Sequence, residues 1–246
     1  MPTENKPFAA SHPWDRTFFL ANVAVAWIGI LAGFSPELLE HGRGISPFPP
    51  PIVLVHGVVF FGWLVLFTVQ VLLIRSRRVD IHRKLGLAGA VMVPLMVILG
   101  LEANVVAQRL HFAQGESQLN FMILPITDMI MLAGLAGSGL LLRKNPVVHK
   151  RLMLLATVNL TDAGFGRWVG PWIAAHAGDG FLAFIVQNCV CLDLIIIAAM
   201  VYDQVTRGRI HPVYRIAFPL ILANQALTSA IYHSPAWIPI ARYLIS

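Results

Sequence analysis

Seven long apolar runs fill most of this 246-residue chain, and only short polar stretches separate them. The runs cover 17–34, 52–74, 85–107, 119–142, 152–175, 181–205 and 213–232. A helix needs about 20 mostly apolar residues to cross the hydrocarbon layer of a bilayer. The expected fold is therefore all-α: one polytopic transmembrane domain over 1–246, with about seven helices. Charged residues make up 12% of the chain, against roughly 25% in a soluble domain. What lies outside the runs is too little for a soluble domain of ordinary size.

The net charge of +6 would suit nucleic acid if the charges formed one surface. They sit instead in short clusters between apolar runs, the pattern of cytoplasmic loops, so no nucleic-acid partner is expected. With the amino terminus and three basic loops on one side, that side holds 14 of the 18 Lys and Arg residues. The remainder are Arg43, Arg109, Arg167 and Arg242. The positive-inside rule then puts the amino terminus in the cytoplasm and, for an odd helix count, the carboxyl terminus outside. Residues 1–16 lack a basic region leading into a short apolar core, so the first run is expected to be a retained helix rather than a signal peptide. The tail carries Trp237, Arg242 and Tyr243 among apolar residues and reads as a short interfacial segment. Cys189 and Cys191 share one run. On a helix they point about 200° apart and are expected not to pair.

Each basic loop carries a histidine just before an odd-numbered helix: His82, His149 and His211. His82-Arg83-Lys84-Leu85 and His149-Lys150-Arg151-Leu152 agree best. A helical hairpin repeated three times after a leading helix would account for the whole chain. Three imidazoles gathered at one face could bind a metal ion or titrate near neutral pH. The alternative is contact with anionic lipid headgroups.

Polar groups inside a bilayer are costly, about 2.5–3.5 kcal/mol for a central carboxylate, so they point to paired or functional sites. Glu102, Asp128, Asp162, Arg167 and Asp193 are the ionisable candidates for a catalytic role. Asn159, Asn188, Asn224 and Gln225 lie at similar depth, so an acid- and amide-rich site is expected to open towards the outer face. Asn159, Asp162 and Gly166 share one face of their helix by spacing. Helix-to-helix hydrogen bonding without further function is the competing reading. On the second run His56, Phe60, Trp63, Phe67 and Gln70 recur at four and three residues. A histidine heading an aromatic stripe suits haem with an imidazole axial ligand. His56, Trp63, Gln70 and the terminal His233 form the candidate cofactor-binding set.

His56, Gln70, Arg77-Arg78 and His82-Arg83-Lys84-Leu85-Gly86 resemble the pattern of uncharacterised bacterial multipass membrane families. His149-Lys150-Arg151-Leu152-Met153 looks like the motif of a small membrane family linked to cytochrome oxidase assembly. The layout is loosely similar to the cytochrome b561 group, in which paired histidines hold two haems between helices. Gln70 stands where the second run would offer such a partner. The resemblance implies a bacterial inner membrane, a haem or quinone, and respiratory-chain components as partners besides the lipid bilayer.

Three functions follow as expectations. One is a haem- or quinone-associated redox or oxidase-assembly role, with His56 as ligand. The second is a membrane enzyme with a metal or acid–base site built from His56, Glu102, Asp128, Asp162 and Arg167, with His233 as a further metal ligand. The third is a proton-coupled transporter of small solutes. Retinal binding is excluded, because the last run holds no lysine for a Schiff base.

Overall fold

A computed structural model describes residues 8–115 and 118–246. Among these the chain is all-helical, with ten α-helices and one 3-10 turn. They are α1 (Asp15–Gly42), α2 (Pro51–Arg75), α3 (Val79–Ala113), α4 (Ile123–Leu141), α5 (Pro146–Asn159), α6 (Asp162–Trp168), α7 (Gly170–Ala177), α8 (Phe181–Arg207), α9 (Pro212–Tyr232) and α10 (Trp237–Ile245). The 3-10 turn, Leu119–Met122, leads into α4. Five helical segments are long and apolar enough to cross a membrane: α1, α2, α3, Leu119–Leu141 and α8. Large apolar side chains face outward along them, among them Leu87, Val91, Ile130 and Leu182. A helix that is apolar on every side suits lipid on its outer face and protein on its inner face.

Several boundaries differ from the sequence expectation. The first helix continues to Gly42 through Pro36, so the loop expected over 35–50 shrinks to its last eight residues. The third extends to Val79–Ala113. The apolar run 152–175 is not one helix. It is divided among α5, α6 and α7, of 14, 7 and 8 residues, none long enough to cross alone. The α5–α6 break falls at Leu160–Thr161. There the Thr161 hydroxyl donates to the Val158 carbonyl at 2.6 Å, a local bond that competes with the helical ladder. Polar Asn224, Gln225, Thr228 and Ser229 dilute the second half of α9. The carboxyl-terminal segment is helical as α10, and it packs on the 3-10 turn. Trp237 Nε1 donates to the Leu119 carbonyl at 3.0 Å, and Arg109 donates to the carbonyls of Ile245 and Ser246 at 2.6 and 2.7 Å.

Helix starts follow local chemistry. Pro51, Pro146 and Pro212 open α2, α5 and α9, where a missing N–H costs nothing. The Asn145 side chain caps α5 by accepting from the N–H groups of Val147 and Val148. The His211 ring caps α9 in the same manner, with Nδ1 accepting from Val213 N–H at 3.1 Å. At Gly208 (φ 71°) the chain turns left-handed and α8 stops.

Helices α1 and α6 meet backbone to backbone. A Cβ on Gly164 would stand 2.5 Å from the Gly29 carbonyl oxygen, and one on Gly33 would collide with the Gly164 backbone. Gly29 and Gly33 are four residues apart on α1, a small-xxx-small spacing that lets backbones touch. Helices α2 with α3 and α4 with α5 form tight hairpins. Met96, Leu132, Leu154, Leu155, Ile196 and Ile221 lie at the centre.

Candidate functional site

Two polar centres lie at different depths in the bundle. The first gathers the amino-terminal segment with the starts of α5 and α9 and the end of α8. Arg151 and Asp203 form a bidentate pair through Nε–Oδ2 (2.8 Å) and Nη2–Oδ1, both side chains 2% exposed. The Asp15 carboxylate accepts from Arg207 (2.7 and 2.9 Å), Lys150 (2.8 Å) and Tyr202 (2.6 Å). Arg207 also reaches Asp203 at 3.4 Å, so the two acids form one network. The Phe8 ring lies 4.8 Å from the Arg151 guanidinium and 5.6 Å from that of Arg207. Burial pushes the Lys150 ammonium below its ordinary range, and the Asp15 carboxylate opposes that shift. Burial pushes the His211 ring down to about 4, assisted by the neighbouring Arg151 cation.

The second centre lies nearer the end where α4 and α8 begin. Asp128 of α4 and Asp162, the first residue of α6, are enclosed in the same cavity. Asp162 Oδ1 accepts from Ala163 N–H at 2.6 Å. The Asn159 amide donates to the Asp128 backbone carbonyl at 3.4 Å and ties the end of α5 to α4. The acids line a cavity of about 10 Å³ with Asn159, Asn224, Gln225, Thr228, Cys189 and apolar side chains of α4, α8 and α9. That is the space of roughly one water molecule. Gln225 is 6% exposed, and its Oε1 has no hydrogen-bond partner. Its Nε2 donates to Asp193 Oδ1 at 2.9 Å. The hydroxyl of Thr228, which lines the cavity, donates to that of Thr127 at 2.8 Å.

The structure brings together part of the predicted acidic set and disperses the rest. Asp128 and Asp162 share the cavity, and Asp193 reaches it through Gln225. Glu102 is exposed on α3 and lines no part of it. Arg167 turns away: it pairs with Glu37 at 4.0 Å and covers the Phe34 ring at 4.3 Å. In the cofactor-binding set, Trp63 is a core residue, 2% exposed, whose Nε1 donates to Thr157 at 3.2 Å. Gln70 donates to the His82 carbonyl at 3.2 Å, and the His233 ring lies against the Ser229 carbonyl at 2.7 Å. His56 stacks on Phe60 at 4.0 Å, and its Nδ1 is buried without a partner.

The three-imidazole metal site does not assemble. His82 and His149 are each the fourth residue of their helix, and their rings lie 6.2 Å apart. His149 Nδ1 engages the Gly139 carbonyl at 2.7 Å. His211 stands one position outside its helix as the cap, edge-on to Phe8 at 4.6 Å. Among the described residues no group of three or more His, Cys, Asp or Glu is placed to hold a metal ion. Cys189 and Cys191 are unpaired, as expected.

Fold and site together describe a helical membrane protein with an acidic pair enclosed between its helices. No protein-family model matches the chain, and no match is found among curated proteins or solved structures.

Proposed function

We propose that this protein is a proton-coupled transporter of a small solute, with Asp128 and Asp162 as its proton site. One observation carries the reading: two carboxyl groups are enclosed in one small cavity at a break in a helix. Broken helices at membrane depth mark ion and substrate sites in transporters, because their backbone is tolerated only where it lines a cavity or is buried in protein. A pair that shares one proton can release and recapture it as water or solute reaches the cavity. The proposed topology has seven crossings, with the α5–α7 segment and α9 supplying the two beyond the five long apolar segments. The amino terminus faces the cytoplasm, and the Arg151–Asp203 network lies at that side. The membrane is the inner membrane of a bacterium.

The test is proton flux into proteoliposomes that contain a pH-sensitive dye, driven by a valinomycin-set potassium potential. Flux above that of protein-free vesicles is expected, and Asp162→Asn should remove it. Wild-type vesicles no leakier to protons than empty ones would refute the proposal.

A redox role is supported by a separate observation, the buried unpartnered Nδ1 of His56 beside Phe60. A haem ligated there would give a Soret band that shifts on reduction and is lost in His56→Ala. A protein purified with no such band would dismiss it.

A further inference from the structure

We infer that the cavity between α4, the α5–α6 break and α9 binds one alkali-metal cation, Na+ or K+, in exchange for the proton that Asp128 and Asp162 share. The inference rests on the reading of this pair as a proton site.

The wall of the cavity combines apolar side chains with a set of oxygen-bearing ones. Both carboxyl groups line it, together with Asn159, Asn224, Gln225 and Thr228. Gln225 Oε1 is the informative atom: it is buried, no donor answers it, and it belongs to a residue of the cavity wall. A buried acceptor left without a donor costs about 1–3 kcal/mol, so such atoms in a native fold call for an unseen partner. A carboxylate pair with amide oxygens is the donor set of a hard cation.

Charge and size select the class. The pair with one shared proton carries a charge of −1. When the proton leaves and one monovalent cation enters, the charge is again −1, so the exchange leaves the enclosed site electrostatically unchanged. A divalent ion would not preserve it, and no group of three acidic, His or Cys side chains among the described residues offers one. At about 10 Å³ the cavity takes one water-sized occupant, which excludes organic cations.

The experiment is thermal unfolding of the purified full chain in detergent, in NaCl, KCl or choline chloride at equal ionic strength, at pH 6.5 and 8.5. Ligands that bind only the folded state raise the melting temperature with concentration. Na+ or K+ is expected to raise it above the choline value at pH 8.5. The half-maximal concentration should climb by up to tenfold per pH unit as the pH is lowered, because proton and cation compete. Asp128→Asn and Asp162→Asn should each lose the cation response. The wild-type pH competition stands even where a variant fails to fold. Equal melting temperatures in all three salts would overturn the inference, as would a cation response independent of pH or retained in Asp162→Asn. Asp162-dependent proton flux without any salt response would sink the cation and leave the proton site standing. Loss of both would end both.

Discussion

Replacing Gly164 by alanine isolates the contact that sets the position of the acidic pair. The added methyl would lie 2.5 Å from the Gly29 carbonyl oxygen, 2.8 Å from its carbon and 3.0 Å from Ile30 Cα. All three are backbone atoms, so no rotamer change relieves the clash. Ordinary contact begins near 3.4 Å, and α1 and α6 must part by the difference, 3.4 − 2.5 = 0.9 Å. Overpacking of this kind costs about 1–3 kcal/mol, and alanine returns up to about 1 kcal/mol of helix propensity. A net loss of about 1–2 kcal/mol is expected. Gly134→Ala on α4 is the control, since nothing lies within 4 Å of its added Cβ. It should be neutral or stabilising by a few tenths of a kcal/mol to about 1 kcal/mol. Reversible unfolding in mixed dodecyl maltoside–SDS micelles, followed by circular dichroism, measures both. Gly33→Ala combined with Gly164→Ala should cost less than the sum of the singles, because the same helix separation relieves both clashes. Asp162 lies two residues before Gly164, so proton flux should fall in Gly164→Ala as well. A Gly164→Ala protein as stable as wild type would refute the close α1–α6 packing.

Other outcomes follow from the basic centre of the bundle. Asp203→Ala leaves the 2%-exposed Arg151 without its bidentate partner, and the same unfolding assay should show a loss of about 3–5 kcal/mol. An isosteric apolar double replacement, Arg151→Met with Asp203→Leu, should recover most of that loss. His211 binds its proton near pH 4 in the fold against 6.5 in the unfolded chain. Protonation therefore favours unfolding: the His211 contribution is intact above pH 6.5, declines as the pH falls towards 4, and is level below that. The full span is at most about 3 kcal/mol and is reduced by solvent screening, and His211→Asn, which keeps a capping side chain, should flatten the slope between those pH values. Asn145→Ala removes the α5 cap and should cost about 1 kcal/mol with no effect on cation response.

The long apolar runs were legible because length and hydropathy are one-dimensional properties, and all five long apolar segments coincide with predicted ones. Asn159 and Asp162 were legible as one face because their spacing is that of a helix, although the helix breaks between them. The break itself carried no strong signal: Leu160 and Thr161 are neither glycine nor proline. Gly29 and Gly33 did carry one, a small-xxx-small spacing inside an apolar run that marks close helix contact. Its partner Gly164 stands 131 residues beyond Gly33 in the chain, and no local pattern links them. The Arg151–Asp203 pair was hidden likewise by a separation of 52 residues. Positive charge in a loop indicates a side of the membrane but not which arginine is drawn inward. Depth along a helix placed Glu102 with Asp128 and Asp162, whereas rotation about the helix axis decides whether a side chain faces protein or lipid, and α3 turns Glu102 outward.

The contrast between the two polar centres supports the proposed assignment of function to the acidic one. At the basic end, each buried charge is answered. Asp15 accepts from two cations, a phenol and the His12 N–H, and Asp203 accepts from two arginines. Such a network is complete, and completeness favours one rigid arrangement over exchange with a ligand. At the acidic end the account is open. Gln225 Oε1 has no donor, and Asp128, Asp162 and Gln225 line a cavity the size of one water. Helix α5 joins the two: Lys150 and Arg151 stand in its first two turns, and Asn159, its last residue, holds Asp128. From Arg151 to Asn159 the chain rises about 12 Å at 1.5 Å per residue. The finished network thus holds one end of the helix whose other end borders the unfinished site. The proposed release and recapture of a proton needs a fixed frame and an unsatisfied acceptor, and the two ends of α5 provide one each.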